Sequence, residues 1–354
     1  MPPATTVVAV NGSAKANCGD LLSLGVTFDA DRLSPKPLSA EWNRDLELMH
    51  HYSTITCNTL ALREDMRDLW RVIIPQVGYS HPFVLHGLLA ISALHKSYLI
   101  PSKREIYLKV STYYQSLGLE GFRPFLREIT KHNWKPAFCY ATIEVLYSCS
   151  LPARLDHKTA VASITNVLDW FRFLREIRSV LQPFIEYLPG SNFAPLAQGV
   201  WIVGSNEISE CDPSLEKSSL PNDVFDALRH LGSFFQSNIR SDTYKEYEKA
   251  VLELLNSAKL MAYAGLHVEC GMILFWPYFL PETIIVDMQV HNPYALVLLS
   301  YFAVFLRVME ERFWFIKGWG IRLYADIEIQ LADQQPFLDL LKWPKEQVFR
   351  PNGH

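Results

Sequence analysis

From Tyr294 to Phe315 the chain carries no glycine and no proline, and Pro293 stands directly before that run. Proline fits the first turn of a helix, where its missing N–H is not needed, so the run reads as one long helix beginning there. Leu296, Leu299, Tyr301, Phe302, Phe305 and Val308 would fall almost all round its cylinder, whereas Arg307, Glu310, Glu311 and Arg312 gather at its end. A helix apolar on every side is buried in protein or lies in a membrane. The uncharged part, Pro293 to Leu306, is well short of the roughly 20 residues a bilayer requires. The expectation is a buried helix in a helical body with no transmembrane segment. Gly318-Trp319-Gly320 would then break the chain before an amphipathic run beginning at Ile321.

A chain of 354 residues can bury a sizeable core, as one large domain or two ordinary ones. Its formal net charge is −4, with lysine and arginine scattered among acids. That lacks the concentrated basic face of a DNA-binding domain, so direct nucleic-acid binding is not expected. The six cysteines, Cys18, Cys57, Cys139, Cys149, Cys211 and Cys270, are too few and too widely spaced for a disulfide scaffold. They read as reduced, mostly buried thiols, and no pair has the two-residue spacing of a thiolate zinc site. Asn11, Gly12 and Ser13 interrupt the N-terminal apolar residues, leaving no secretory h-region, so the default is an intracellular, cytoplasmic protein.

Residues 1–42 mix small, polar and proline residues without periodicity and read as an irregular or disordered arm. Helical spacing begins at Asp45, with Leu46, Met49, His50, Ile55 and Leu60, and a second helix is expected over Glu64–Ile74, ending before Pro75. Ser80-His81-Pro82 opens a second, almost wholly apolar helix reaching Pro101. Further helices are expected at Lys103–Leu117, Gly121–His132, Pro136–Cys149, Lys158–Glu186, Asn222–Ser237 and Asp242–Ala264. Leu188–Pro221 holds the central turn chemistry and reads as a long connection within one domain. Strand-like alternation persists nowhere. The fold class is all-α: a single domain of about ten helices over 43–347 enclosing a hydrophobic pocket, with a tail over 348–354.

Glycine-spaced phosphate loops and the nucleophile-elbow pattern are absent, and no cofactor is expected. His81, His86 and His95 recur at intervals that do not share one helix face, so no metal site is expected and their readings are structural, with His86 or His95 as ligand contacts at most. His267 and Glu269 sit among apolar residues, where burial and a neighbouring charge can move a pKa toward neutrality. His86 and His267 are the candidate catalytic groups. Phe275, Trp276, Tyr278, Tyr301, Phe302, Phe305 and Trp319 supply more rigid apolar surface than a small core needs, and are the candidate walls of a cavity for a flat, hydrophobic small molecule such as a sterol, terpenoid or polyketide.

Asp45-Leu-Glu-Leu-Met-His-His51, Leu69-Trp70, Ser80-His81-Pro82-Phe83, Leu88-Leu-Ala-Ile-Ser-Ala-Leu-His95, Trp276-Pro277, Gly318-Trp319-Gly320 and Trp343-Pro344 together resemble the C-terminal regulatory domain of fungal zinc-cluster transcription factors of the sterol uptake control type. The resemblance spans about Asp45 to Pro344. It implies an all-α, often homodimeric domain whose pocket binds ergosterol in sterol-sensing members, and a nuclear setting for a regulator. Those regulators also carry six closely spaced N-terminal cysteines that bind two zinc ions, whereas Met1–Arg44 holds only Cys18. The leading expectation is therefore a ligand-binding half repurposed in specialised metabolism as a cofactor-free enzyme, accelerating a cyclisation or Diels-Alder cycloaddition by preorganisation. A sterol-sensing regulator acting without its own DNA-binding module is the alternative, and a truncated regulator the third reading.

Overall fold

The computed structural model describes residues 40–154, 163–197 and 211–350. Most of the expected N-terminal arm, part of the central connection (198–210) and the end of the tail (351–354) lie outside the described residues. Two compact units divide the chain, Met1–Arg44 and Asp45–His354. The described residues are all-α, with no strand among them, and eleven of the helices run ten residues or more.

The first half contains α1 (Ala40–Thr54), α2 (Glu64–Asp68), α3 (Ile74–Ser80), α4 (Pro82–Leu99), α5 (Arg104–Phe125), α6 (Trp134–Cys149), α7 (Leu151–Arg154), α8 (Ser163–Leu181) and α9 (Ala194–Ala197). The second contains α10 (Val224–Asn238), α11 (Ser241–Ala264), α12 (Cys270–Phe279), α13 (Glu282–Gln289), α14 (Pro293–Glu310), α15 (Trp319–Gln330) and α16 (Gln335–Val348). The two apolar helices are α4 and α14. The first packs against α3, α5 and α6, and the second against α15 and α16. Among the described residues α14 is the single helix long and apolar enough to cross a bilayer, but the protein itself covers most of it. The pair α12 and α13 together meet the same measure, yet bend by 93° at Leu280-Pro281.

Several expected boundaries move. The Glu64–Ile74 helix does not stop before Pro75. A π-helical turn, Leu69–Ile73, follows α2, and Pro75 sits in the first turn of α3, where its absent N–H is harmless. Gly118, Gly121 and Pro124 do not divide α5, which runs unbroken to Phe125. There the bare glycine backbones let Tyr140 and Phe83 approach closely, so packing overrides the weak helix propensity of glycine. Helix α14 ends at Glu310 instead of Phe315, and a 3-10 turn over Trp314–Ile316 leads to Gly318 (φ 97°). That left-handed residue caps α15, which begins at Trp319 and so contains Gly320.

The start of α14 is set by Asn292, whose side chain accepts from Tyr294 N at 3.0 Å. At its far end the Glu310 carboxylate accepts the Gly320 amide at 2.7 Å, joining α14 to α15. The C-terminal end of α12 is held by α8: Arg178 Nη1 donates to the Tyr278 carbonyl at 2.8 Å and Arg175 Nη1 to Leu280 O at 2.7 Å. These guanidiniums take carbonyls that the helix end leaves without internal partners. Cys57, Cys139, Cys149 and Cys270 are buried free thiols, Cys211 is exposed, and Cys18 lies outside the described residues.

Candidate functional site

Between the segment after α1, the middle of α6, the end of α8 and the whole of α12 lies an apolar cleft, with a cavity volume of about 110 Å³. Phe138, Ala141, Val145 and Leu146 of α6 form one wall. Met272, Leu274 and Tyr278 of α12 form another, and Leu60, Met66 and Trp70 close the third side. Ile177 and Leu181 of α8 and Leu196 of α9 complete the lining. The polar groups among these residues are few: Arg63, Thr142, Glu269, Cys270, the Tyr278 hydroxyl and the Trp70 indole. Mostly apolar walls with a few fixed polar groups are the usual make-up of a small-molecule site.

Glu269 occupies the cap position ahead of α12, in extended backbone, two residues beyond a 3-10 turn, Gly265–His267, that opens at Gly265 (φ 55°). From there its carboxylate crosses to a segment some two hundred residues earlier. Oε1 accepts from Leu62 N at 2.8 Å and Arg63 N at 2.6 Å, the amides immediately before α2. One oxygen thus satisfies two otherwise unpaired N–H groups, while Oε2 has no hydrogen-bond partner among the described residues. The side chain is buried, and burial pushes its carboxyl up to about 7 despite the two backbone donors.

Trp70 sits in the π-helical turn, its backbone carbonyl accepting from the Tyr52 hydroxyl at 2.7 Å. Its ring is 2% exposed, and its Nε1–H is buried with no partner among the described residues. Trp170 Nε1 is likewise buried with no partner among the described residues, whereas four other indoles are paired. Trp276 donates to Ala250 O at 2.9 Å, Trp319 to Cys149 O at 2.6 Å, Trp314 to Thr59 Oγ1 at 3.0 Å and Trp343 to Asp223 Oδ2 at 2.9 Å. A buried N–H left unpaired costs about 1–3 kcal/mol.

Of the residues singled out from sequence, Tyr278 and Glu269 line this cleft and the others lie elsewhere. Phe275, Trp276, Tyr301, Phe302, Phe305 and Trp319 are fully packed in the core. Trp276 stacks on Phe302 at 4.7 Å, Tyr301 on Trp343 at 5.1 Å, and Trp170 on Trp319 at 5.7 Å. His267 is exposed in the turn ahead of Glu269. His86 is half-buried on α4 beside Tyr114, its Nδ1 without a partner, and burial lowers its pKa. The structure therefore brings together Tyr278 and Glu269, and adds Trp70, Met272 and the α6 wall. Trp70 carried no site signal in the sequence, because an orphaned N–H is a property of packing.

A second buried polar group lies around His95, which is 2% exposed, stacked on Trp314 at 4.7 Å and hydrogen-bonded through Nδ1 to Thr56 Oγ1 at 3.0 Å. Burial and the neighbouring His51 lower it to about 4. Glu144 on α6 is buried and pushed up to about 7, with Gln115 Nε2 at 3.4 Å. Among the described residues no three His, Cys, Asp or Glu side chains converge as metal ligands.

Residues 47–153 match the family described as fungal specific transcription factor domain. A Zn(2)-C6 fungal-type transcription factor, afumD, of Aspergillus fumigatus is 22% identical over 271 residues, covering 75% of this chain and 68% of that protein. A Zn(2)-C6 fungal-type transcription factor of Gibberella zeae is 20% identical over 281 residues, 76% of this chain and 55% of that one. Sterol uptake control protein 2 of Candida albicans is 39% identical, but over 54 residues, 15% of this chain and 8% of its own length. The chain is thus similar to fungal zinc-cluster transcription factors over most of its length. It spans about two-thirds of the first relative and about half of the second.

Proposed function

We infer that this chain is an effector-responsive regulatory module of the fungal zinc-cluster type, in which an apolar small molecule held between α6 and α12 alters the module's output. The observation that carries the reading is similarity to such transcription factors over three-quarters of the chain, with a family match over residues 47–153 that includes α6, one wall of an apolar cleft. Membership in a homodimer and a nuclear setting belong to the same reading. A direct test fuses the chain to an unrelated DNA-binding domain in yeast and follows a reporter while organic extracts of fungal cultures are supplied. The reading expects the reporter to change with extract, and sedimentation of the purified chain to give a dimer mass. A constitutive or silent reporter indifferent to every extract refutes it.

A second reading, a cofactor-independent cyclase or Diels-Alder catalyst, is favoured by one observation. Glu269 lines the cleft, its Oε1 held by two backbone amides and its carboxyl pushed up to about 7 by burial. Such a group can protonate or polarise a carbonyl while the walls fix a reactive geometry. Incubation of the purified chain with the same extracts separates the two readings. A compound recovered unchanged fits the regulator, and conversion that Glu269→Gln abolishes fits the enzyme.

A further inference from the structure

We propose that Cys149 and Cys270, placed where α6 ends and α12 begins, are an oxidation-sensitive pair that a small hydroperoxide converts into a disulfide joining the two walls of the cleft. This goes beyond the effector reading and does not depend on it. Ala141 and Val145 line the cleft from α6, and Cys149 follows at the same four-residue interval as the last residue of that helix. Cys270 lines the cleft as the first residue of α12. The two thiols meet there and hydrogen-bond each other, although they stand far apart in the sequence. Cys57, by contrast, donates to Ser53 O at 3.3 Å within its own segment.

Access separates their roles. Cys149 is 0% exposed, and burial together with the Cys270 thiol beside it raises its pKa well above the ordinary range, so it stays protonated and out of reach. Cys270 is 6% exposed on the cleft lining and is the sulfur an incoming oxidant meets first. Its Sγ attacks the terminal oxygen of the hydroperoxide, the O–O bond breaks, and the thiol proton leaves with the other oxygen as an alcohol. The sulfenic acid so formed stands against Cys149, whose sulfur displaces the oxygen as water and closes the S–S bond. In all, the two thiols give up two electrons and two protons, and the hydroperoxide takes them up as alcohol and water. The disulfide carries no charge and no hydrogen-bond donor, which suits walls that are mostly apolar. Among the described residues no third His, Cys, Asp or Glu joins the pair, so the cluster is short of a tetrahedral zinc site.

The test treats the full, folded chain with cumene hydroperoxide, dosed until the exposed Cys211 is oxidised, then alkylates the remaining thiols and maps the peptides by mass spectrometry. The expected product is a disulfide between Cys149 and Cys270 that dithiothreitol reverses. Cys270→Ala should abolish it. Cys149→Ala should strand Cys270 as a sulfenic acid that dimedone labels several-fold more strongly than in wild type. Should either variant fail to fold, the wild-type map decides alone. If Cys149 and Cys270 are both recovered as alkylated thiols once Cys211 has reacted, or if Cys270 pairs with a different cysteine, the assignment is overturned and the two are inert core thiols. The joining of the walls has its own readout. Hydrogen exchange in the last turn of α6 and the first turn of α12 should be several-fold slower in the oxidised protein than in the same protein after dithiothreitol. Exchange that is unchanged or faster in the oxidised form overturns that part of the proposal.

Discussion

Replacing Gly320 by alanine tests the close approach of α15 to α14, because the sign of the outcome depends on it. Gly320 is a helical residue with ordinary φ, so on propensity alone alanine would stabilise by up to about 1 kcal/mol. A Cβ at Gly320, however, would meet Ala303 O at 2.8 Å, Arg307 Cβ at 2.8 Å and Arg307 N at 2.9 Å. Two of these are backbone atoms of α14 and the third is fixed to its backbone, so no side chain can turn away. Ordinary contact requires α15 to withdraw from α14 by about 0.6 Å, a strain of the overpacking kind that costs about 1–3 kcal/mol. That movement also pulls on the bond from the Gly320 amide to Glu310 and on Arg307 Nε, which donates to Val348 O at 3.1 Å. The net expectation is a loss of about 1–2 kcal/mol, lowering the thermal midpoint by about 1–3 °C for a chain of this size. The control is Gly232→Ala in the middle of α10, where the added Cβ meets Val251 Cγ1 at an unstrained 3.6 Å. It should stabilise by about 0.5–1 kcal/mol. Urea midpoints of the purified chains measure both. If Gly320→Ala unfolds at or above the wild-type midpoint while Gly232→Ala behaves as expected, the hairpin does not pack as described.

Burial gives stability two opposing pH dependences. Glu144 has its folded pKa raised to about 7 from 4.5, so the unfolded chain releases its proton first and stability falls as pH rises from about 4.5 to about 7, by at most about 3 kcal/mol. His95 is lowered to about 4 from 6.5, so the unfolded chain takes up a proton first and stability is lost as pH falls from about 6.5 to about 4. Urea titrations at several pH values should show Glu144→Gln flattening the decline toward neutrality and His95→Asn removing the acid-side loss. Curves parallel to wild type would refute both assignments. Phe302→Ala deletes a ring stacked on Trp276 and edge-on to Phe171 at 5.5 Å, and should cost about 3–5 kcal/mol in a chemical denaturation curve. Arg178→Ala removes the donor to Tyr278 O and a guanidinium 4.3 Å from the Phe279 ring. Hydrogen exchange in the last turn of α12 should rise several-fold, and an unchanged rate would mean that Arg178 does not hold that end.

What the sequence makes legible follows from the range of the forces involved. The two almost wholly apolar helices, α4 and α14, declare themselves because all-round hydrophobicity admits burial or a membrane and little else, and Pro82 and Pro293 mark their starts by local geometry. The π-helical turn at Trp70 and the unbroken course of α5 through Gly118, Gly121 and Pro124 are not local facts. They depend on what Phe83, Tyr140 and Tyr52 do from elsewhere in the chain. Aromatic density was a poor guide to the cleft for the same reason. Trp276, Phe302 and Trp319 are large rings whose edges and N–H groups find partners in the core, so they fill space and leave none. A cavity arises where shapes do not interlock, and here Ala141, Val145 and Met272 leave space beside the rings of Trp70, Phe138 and Tyr278. Glu269 was visible as an acid among apolar neighbours, but its role depends on Leu62 and Arg63. If those two amides orient it, Glu269→Gln should fold normally while Glu269→Ala exposes the segment before α2 to proteolysis. Equal resistance of the two variants would show that the bonds from Leu62 and Arg63 do not hold that wall of the cleft.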